Sequence, residues 1–160
     1  MKQPPTPIRP ADDEARRLAR DLVRAARFGA LGVLAPRTGG PMVSRVAVIW
    51  DDGPVTLISE LSHHTQALRT NPAAGLLLGE PGGKGDPLTW PRISLQGRVC
   101  FLDRRSDAHD ALRAVWLERH PKARLYIDFT DFSFARLEVA EAHLNGGFGR
   151  AYLLGPQDLG

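Results

Sequence analysis

The chain has 160 residues, a formal net charge of +3 at pH 7, 42% hydrophobic residues and 24% charged residues. These values are typical of a single globular domain and exclude a disordered chain. Its one cysteine, Cys100, excludes an internal disulfide framework and multi-cysteine zinc sites. The basic residues are scattered among acidic ones, which argues against nucleic acid as a partner. No apolar run reaches the ~20 residues of a membrane helix and no secretory signal is recognisable, so a cytoplasmic location away from membranes is expected.

The first part of the chain predicts a helix followed by a β-meander. Residues 1–10 are rich in proline and are expected to form a flexible segment. Apolar residues recur at helical spacing from Ala11 to Phe28, which predicts an amphipathic helix. Strand patterns follow over residues 30–35, 42–50 and 55–59, separated by turns rich in proline, glycine and aspartate.

The remainder predicts four more strands and two more helices. Strand patterns outnumber helical ones, and their close spacing predicts antiparallel connections and a small barrel with peripheral helices. One domain is expected to span residues 11–155, with 156–160 as a tail. The predicted helices cover residues 62–70 and 106–120, and the predicted strands cover 73–79, 91–102, 132–140 and 143–154.

The turn after the third predicted strand is the best candidate for a binding site. Here a strand leads into a short helix, and helix N-termini offer free N–H groups and a partial positive charge to phosphate. Hydroxyl groups in the turn could donate hydrogen bonds, histidines could add charge, and Arg45 on the neighbouring strand could supply a guanidinium. The alternative is an ordinary helix cap made by Ser62, with solvent-exposed histidines. The side chains of the turn are Ser59, Ser62, His63, His64 and Thr65.

The other histidines allow two interpretations. His143 could ligate haem iron through an imidazole nitrogen, although a single strand histidine more often has a structural role. His109 and His120 belong to the second long helix, where they are expected to face solvent or to cap the helix. We expect no metal site elsewhere.

The tryptophans and the cysteine are expected to be structural. Trp50, Trp90 and Trp116 are predicted to anchor the core or an interface, with Trp90 the best candidate to contact a cofactor. Cys100 is predicted to be a buried, unreactive thiol.

Four segments of the chain, taken in order, form a recognisable pattern. They are Ser44-Arg45-Val46-Ala47-Val48, Val55-Thr56-Leu57-Ile58-Ser59, the run from His63 to Pro72, and Arg92-Ile93-Ser94-Leu95-Gln96-Gly97-Arg98. Together they resemble the pyridoxamine 5′-phosphate oxidase-like family of FMN-binding split barrels. Two further patterns, Gly85-Asp86-Pro87-Leu88 and Gly146-Gly147-Phe148-Gly149, resemble the haem-utilisation (HugZ-type) branch of that family. The resemblance spans about residues 15–152.

This resemblance implies a mainly β (α+β) fold, an antiparallel Greek-key split barrel, that forms a homodimer with FMN in clefts between the subunits. It implies an FMN-dependent oxidoreductase, with His63 and His64 where the oxidases place an Arg-Lys pair on the phosphate, and Arg92 where they place a flavin-binding glutamine. The implied cofactor-binding residues are Ser44, Arg45, Val46, Leu57, Ile58, Ser59, His63, His64, Thr65 and Arg92.

The resemblance also has limits that bear on function. The oxidases end in a segment with tryptophan and arginine that holds flavin and pyridoxal phosphate, and nothing after Leu137 resembles it. Pyridoxamine 5′-phosphate oxidase activity is therefore not expected, and haem is a possible substrate. The alternatives are a flavin or haem carrier or sensor without turnover, a flavin-dependent reductase of another small molecule, and a dimer that has lost its ligand.

Overall fold

The computed structural model describes residues 8–147 and 149–160. Within these ranges the chain forms nine strands and three α-helices. Short 3₁₀ turns occur at Pro87–Thr89, Pro121–Leu125 and Pro156–Asp158. The order of elements is β1 (Ile8–Pro10), α1 (Asp13–Ala25), β2 (Phe28–Leu34), β3 (Pro41–Ala47), β4 (Ile49–Trp50), β5 (Pro54–Ser59), α2 (His63–Thr70), β6 (Ala73–Leu78), β7 (Arg92–Phe101), α3 (Asp107–Arg119), β8 (Phe132–Asn145) and β9 (Ala151–Leu154).

The strands form one curved sheet in the order β1-β9-β8-β7-β6-β2-β3, and β5 joins it by pairing with β8. All pairs are antiparallel except β1 with β9. The curvature brings β3 close to β5, where the Thr56 hydroxyl donates to the carbonyl of Ala47 at 2.8 Å. We call the gap between β3 and β5 the split. The predicted mainly β barrel with peripheral helices is confirmed.

The interior of the barrel is apolar, and α1 and α2 cover it. Ala15, Ala19 and Val23 of α1 are almost fully buried against the main core. A second core under α3 contains Trp116 and Phe134, whose rings meet edge to face at 5.6 Å. Fully burying a large side chain contributes roughly 1.5–3 kcal/mol, so these two clusters hold the helices on the sheet.

The chain termini and two strand boundaries differ from expectation. Of the predicted flexible segment, residues 1–7 lie outside the described residues, and Ile8–Pro10 form β1 beside β9. Residues 156–160, the predicted tail, pack back onto the domain. The evidence is Leu159, whose side chain is only 1% exposed. β8 runs unbroken to Asn145 and so includes His143, while β9 contains only Ala151–Leu154. Phe148 also lies outside the described residues.

Several predicted side-chain environments are corrected. Cys100 is exposed, with Sγ 3.3 Å from a carboxylate oxygen of Glu138, because it faces outward from β7 while Val99 faces the core. His109 is buried and its ring lies 5.2 Å from that of Phe134. It shares the apolar face of α3 with Leu112, three residues later, as helical spacing requires.

The remaining aromatic predictions hold in part. Trp116 is fully buried, which confirms a core role, whereas Trp90 is 38% exposed and donates to the carbonyl of Lys84 at 3.2 Å. His120 is the residue that ends α3, and its Nε2 lies 2.9 Å from the carbonyl oxygen of Val48.

In the described part of the chain, no helix combines the length and apolar character needed to cross a bilayer.

Candidate functional site

The turn from β5 into α2 places the first turn of α2 beside β3, next to the split. The amide of Ser62 donates to the carbonyl of Ser59 at 3.0 Å, which closes the turn. Thr65, Ala67 and Leu68 are buried and hold α2 on the barrel. These contacts fix the orientation of the helix and therefore the position of its N-terminus.

The N-terminus of α2 differs from those of the other two helices. Asp12 caps α1 by accepting from the amide of Ala15 at 2.7 Å, and Ser106 caps α3 by accepting from the amide of His109 at 3.2 Å. Within the described ranges the Ser62 side chain makes no capping hydrogen bond, and the first turn of α2 carries no acidic residue. The amide of Thr65 already donates to the carbonyl of Ser62 at 3.1 Å. The N–H groups of the first two helical residues and the positive end of the helix dipole are thus left for an anion, and the alternative of a Ser62 cap is not supported.

Two side chains beside this N-terminus carry buried polar atoms without partners. His64 Nδ1 lies 3.0 Å from Ser44 Oγ on β3, and the two atoms share a hydrogen bond across the split. Neither His64 Nε2 nor the hydroxyl of Thr65 has a hydrogen-bond partner among the described residues. Thr65 is fully buried. Buried polar groups are nearly always paired in folded proteins, so these two atoms have hydrogen-bonding capacity that the described protein groups do not use. The same holds for His109 Nδ1 and Trp116 Nε1 in the core under α3.

The pKa of His64 is lowered from the ordinary value of 6.5. Burial disfavours the charged imidazolium, and the neighbouring His63 adds a smaller electrostatic effect in the same direction. His63 itself is exposed. At neutral pH the site therefore presents a neutral imidazole and an uncapped helix N-terminus.

Ser59 has protein partners. Its hydroxyl donates to Asp131 Oδ2 at 2.5 Å and accepts from the amide of Leu61 at 3.1 Å. This arrangement fixes the loop before α2, and Ser59 has no hydroxyl hydrogen left to donate to a phosphate. Asp131 was not identified from the sequence, because a single aspartate in a turn carries no signal of its long-range partner.

Arg45 lies on the opposite face of β3 from Ser44. Alternate residues of a strand point to opposite faces, and Ser44 bonds with His64 at the split while Arg45 is exposed outside. The Arg45 guanidinium lies 5.6 Å from the centre of the Phe28 ring. Both residues line a shallow cleft of about 380 Å³ together with Arg27, Ala47 and His120.

The other predicted residues are separated from the His64 site or turned away from it. Val46, Leu57 and Ile58 are buried in the two cores, so only their backbone is available to a cofactor. Arg92 begins β7 and donates to the carbonyls of Leu88 and Trp90 at 3.0 and 3.3 Å. The structure thus brings together Ser44, His64 and Thr65.

The described residues contain no cluster of three histidine, cysteine or acidic side chains suited to a metal ion. His143 is half-exposed, and its Nε2 lies 2.6 Å from Glu141 Oε1 on the same strand. Haem iron needs one imidazole nitrogen, and the carboxylate of Glu141 already engages Nε2, which leaves Nδ1 as the nitrogen without this partner.

Residues 10–158 match the family model described as "CREG, beta-barrel". The match covers most of the chain, and the chain belongs to this family. The resemblance to the oxidase-like split barrels is also confirmed by solved structures. A pyridoxinephosphate oxidase family protein from Clostridium acetobutylicum superposes with a TM-score of 0.70 at 14% identity, covering 94% of this chain and all of the other. An FAD-binding protein from Mesorhizobium loti gives 0.63 at 16% identity, covering 84% and 94%. At these identities the likeness shows the fold alone.

Two proteins with higher sequence identity to this chain have names that refer to haem. The chain is 35% identical over 105 residues to "Non-canonical heme oxygenase HOZ, chloroplastic" of Arabidopsis thaliana, a match covering 64% of this chain and 30% of that protein. A solved haem-binding protein from Mycobacterium smegmatis is 29% identical with a TM-score of 0.83, covering 95% of this chain and 61% of the other. The chain thus spans less than two thirds of both proteins.

Proposed function

We propose that this chain is an FMN-binding oxidoreductase of the haem-utilisation-like group, with the FMN phosphate at the N-terminus of α2. The observation that carries the proposal is the uncapped first turn of α2 beside two buried polar atoms that lack protein partners, His64 Nε2 and the Thr65 hydroxyl. A phosphate oxygen would accept hydrogen bonds from the backbone amides. Contact with the two side-chain atoms would require a local rearrangement that opens them to the ligand, because both are buried in the described structure.

The donor set suits a phosphate monoester. The Thr65 hydroxyl and the first amides of α2 are neutral donors, and Ser44 orients the imidazole of His64. Arg45 is proposed to add charge from the outer face, because its exposed guanidinium has no carboxylate partner among the described residues. These groups hold and orient the phosphate end of the cofactor.

The flavin ring is proposed to lie along the split and to be covered by a second copy of the chain. The strand ends of β3 and β5 border the split, and their backbone at Val46, Leu57 and Ile58 would line the ring. Arg92 is also proposed to contact the flavin ring; its Nη1 donates to the carbonyls of Leu88 and Trp90. When bound, FMN supplies the electron-transfer chemistry, so no protein nucleophile is required. A homodimer and a cytoplasmic location belong to this proposal.

Haem is the second candidate ligand, because the names of two relatives at 35% and 29% identity refer to haem. In that case the chain would carry haem or act on it as a substrate, with or without flavin. His143 is the candidate iron ligand, with Glu141 as the hydrogen-bonding partner of its imidazole. Coordination through Nε2 would require Glu141 to release that nitrogen.

Titration of the purified protein with FMN and with riboflavin, followed by flavin fluorescence, tests the proposal. A bound phosphate predicts that FMN binds much more tightly than riboflavin, which carries the same ring without phosphate. Equal affinities would contradict the phosphate site. Addition of NAD(P)H to the FMN complex, followed by a candidate acceptor, then separates an oxidoreductase from a carrier, because a carrier shows no cycle of bleaching and recovery of the flavin absorbance.

A further inference from the structure

The shallow cleft of about 380 Å³ at the start of β2 and the end of β3 contains two arginines, and we call it the arginine cleft. Its volume falls within the roughly 300–1,000 Å³ of small-molecule sites. We propose that it binds a small anion, a carboxylate or phosphate group joined to an aromatic ring, between the guanidinium groups of Arg27 and Arg45. This goes beyond the proposed function, because no described residue of α2 lines the cleft.

The pairing of β2 with β3 explains why the two arginines meet. Phe28 lies opposite Ala47 and Ala30 lies opposite Arg45. Partners across a strand pair share a face, as do residues two apart on one strand, so Phe28 and Arg45 project from the same face of the sheet. The Arg45 guanidinium lies 5.6 Å from the centre of the Phe28 ring. Arg27 directly precedes β2 and lines the cleft from its edge.

Both arginines keep donors that the protein does not use. A guanidinium has five N–H groups. Nη2 of Arg27 donates to the carbonyl of Arg119 at the end of α3. Arg45 contacts the Phe28 ring and donates no hydrogen bond to a described residue. The capping of α3 therefore accounts for one N–H group of Arg27 and for none of Arg45.

No carboxylate neutralises the arginine cleft. All acidic residues of the chain lie in the described ranges, and none of them pairs with Arg27 or Arg45 or lines the cleft. Two positive charges at one cleft repel each other, and an anion between them relieves the repulsion and accepts hydrogen bonds from both. Because both side chains are exposed, salt should weaken this attraction.

The other walls of the arginine cleft favour a ring beside the charged group. Phe28 is 37% exposed and offers apolar surface to a ligand. The ring of His120 is held in place, because its Nε2 donates to the carbonyl of Val48 at 2.9 Å and it packs 4.7 Å from the Trp116 ring. Aromatic rings pack on one another and on guanidinium planes. An aromatic carboxylate or phosphate therefore matches both the charge and the walls.

Titration of the purified protein with four small probes, followed by ¹H–¹⁵N NMR, tests the site. Benzoate and phenyl phosphate should cause saturable shifts of the amides of Phe28, Ala47 and His120, and their relative affinities show which anion the cleft prefers. Acetate, which has no ring, should bind more weakly than benzoate, and uncharged benzyl alcohol should not bind. Added sodium chloride should weaken the binding of both aromatic anions. Absence of saturable shifts at the cleft, or equal binding of benzyl alcohol, overturns the inference.

Variants assign the binding to Arg27, since Arg45 is also proposed to assist FMN. Arg27→Gln should weaken benzoate binding by about tenfold and leave FMN affinity unchanged. Arg24→Gln is the matched control, because Arg24 is exposed but does not line the cleft, and it should keep benzoate affinity. If Arg27→Gln perturbs the end of α3, Arg45→Gln gives the same test of benzoate binding, because Arg45 caps no helix.

Equal losses of benzoate affinity in Arg24→Gln and Arg27→Gln overturn the inference, since they would reflect only the net charge of the protein. Benzoate binding at the cleft of a protein that does not bind FMN supports the inference and overturns the proposed function. Binding of FMN without binding of either aromatic anion does the reverse.

Discussion

Ser44 and His64 are twenty residues apart in sequence and share a 3.0 Å hydrogen bond between β3 and the first turn of α2. This contact joins β3 to the helix that follows β5 and orients the imidazole. Ser44→Ala should therefore weaken FMN binding without unfolding the protein, because it removes one partly buried hydrogen bond worth about 0.5–1.5 kcal/mol. Urea unfolding and FMN titration measure the two effects. An unchanged affinity would show that the orientation of His64 is irrelevant to FMN.

A substitution at Thr65 should change FMN affinity without lowering the stability of the fold. Thr65→Val replaces a buried hydroxyl that has no partner in the described structure by a methyl group of similar size. The free energy of unfolding should stay the same or rise, since an unpaired buried polar group costs about 1–3 kcal/mol, while FMN affinity should fall. Thr65→Ser is the matched control, which keeps the hydroxyl and should retain FMN. Loss of stability in Thr65→Val would show that the hydroxyl already has a partner.

Arg45 tests whether a cation on the outer face contributes to FMN binding. Its visible contact is with the Phe28 ring, so Arg45→Ala should change stability by at most about 1 kcal/mol. If the guanidinium reaches the phosphate, FMN affinity should fall by an amount equivalent to ~1.5–3 kcal/mol while riboflavin affinity stays constant. The control Arg37→Ala removes an exposed arginine from the β2–β3 turn. If Arg45→Ala and Arg37→Ala lower FMN affinity equally, Arg45 contributes only through the net charge of the protein and not through a contact with the phosphate.

The last residues of the chain should contribute to stability. Leu159 is 1% exposed and belongs to the main core, so Leu159→Ala should lower the free energy of unfolding by about 2–5 kcal/mol. Leu153→Ala, at a position that is 42% exposed, should cost much less. Similar urea midpoints for the two variants would contradict the packing of residues 156–160 onto the domain.

Asp158 predicts a specific pH dependence of stability. The hydrogen bond from Arg16 at 2.8 Å, and then that from the Gly155 amide, lower the pKa of Asp158 below its ordinary value of 3.8. A carboxyl with a lowered pKa stabilises the folded state above its unfolded pKa, and the effect is lost as pH falls through the folded value. Asp158→Asn should therefore be less stable than the parent at pH 7 and equally stable in strong acid. A difference that does not change with pH would contradict this ion pair.

The order of elements could be predicted from the sequence because the hydrophobic period changes clearly between strands and helices. The same rule could have placed His109 correctly, since it lies three residues before Leu112 on the buried face of α3. Strand alternation likewise implies that Ser44 and Arg45 point in opposite directions, although family resemblance grouped them in one site. The partnership of Ser59 with Asp131 could not be predicted, because it depends on how β5 pairs with β8.

The visible absorption spectrum of the purified protein, recorded before and after incubation with FMN and desalting, tests the central claim most directly. The account predicts a flavin spectrum retained at close to one FMN per chain, and loss of most of that signal in the Thr65→Val variant. A protein that retains no flavin, yet develops a stable haem absorption band when haem is added, would contradict the FMN site and favour haem as the ligand.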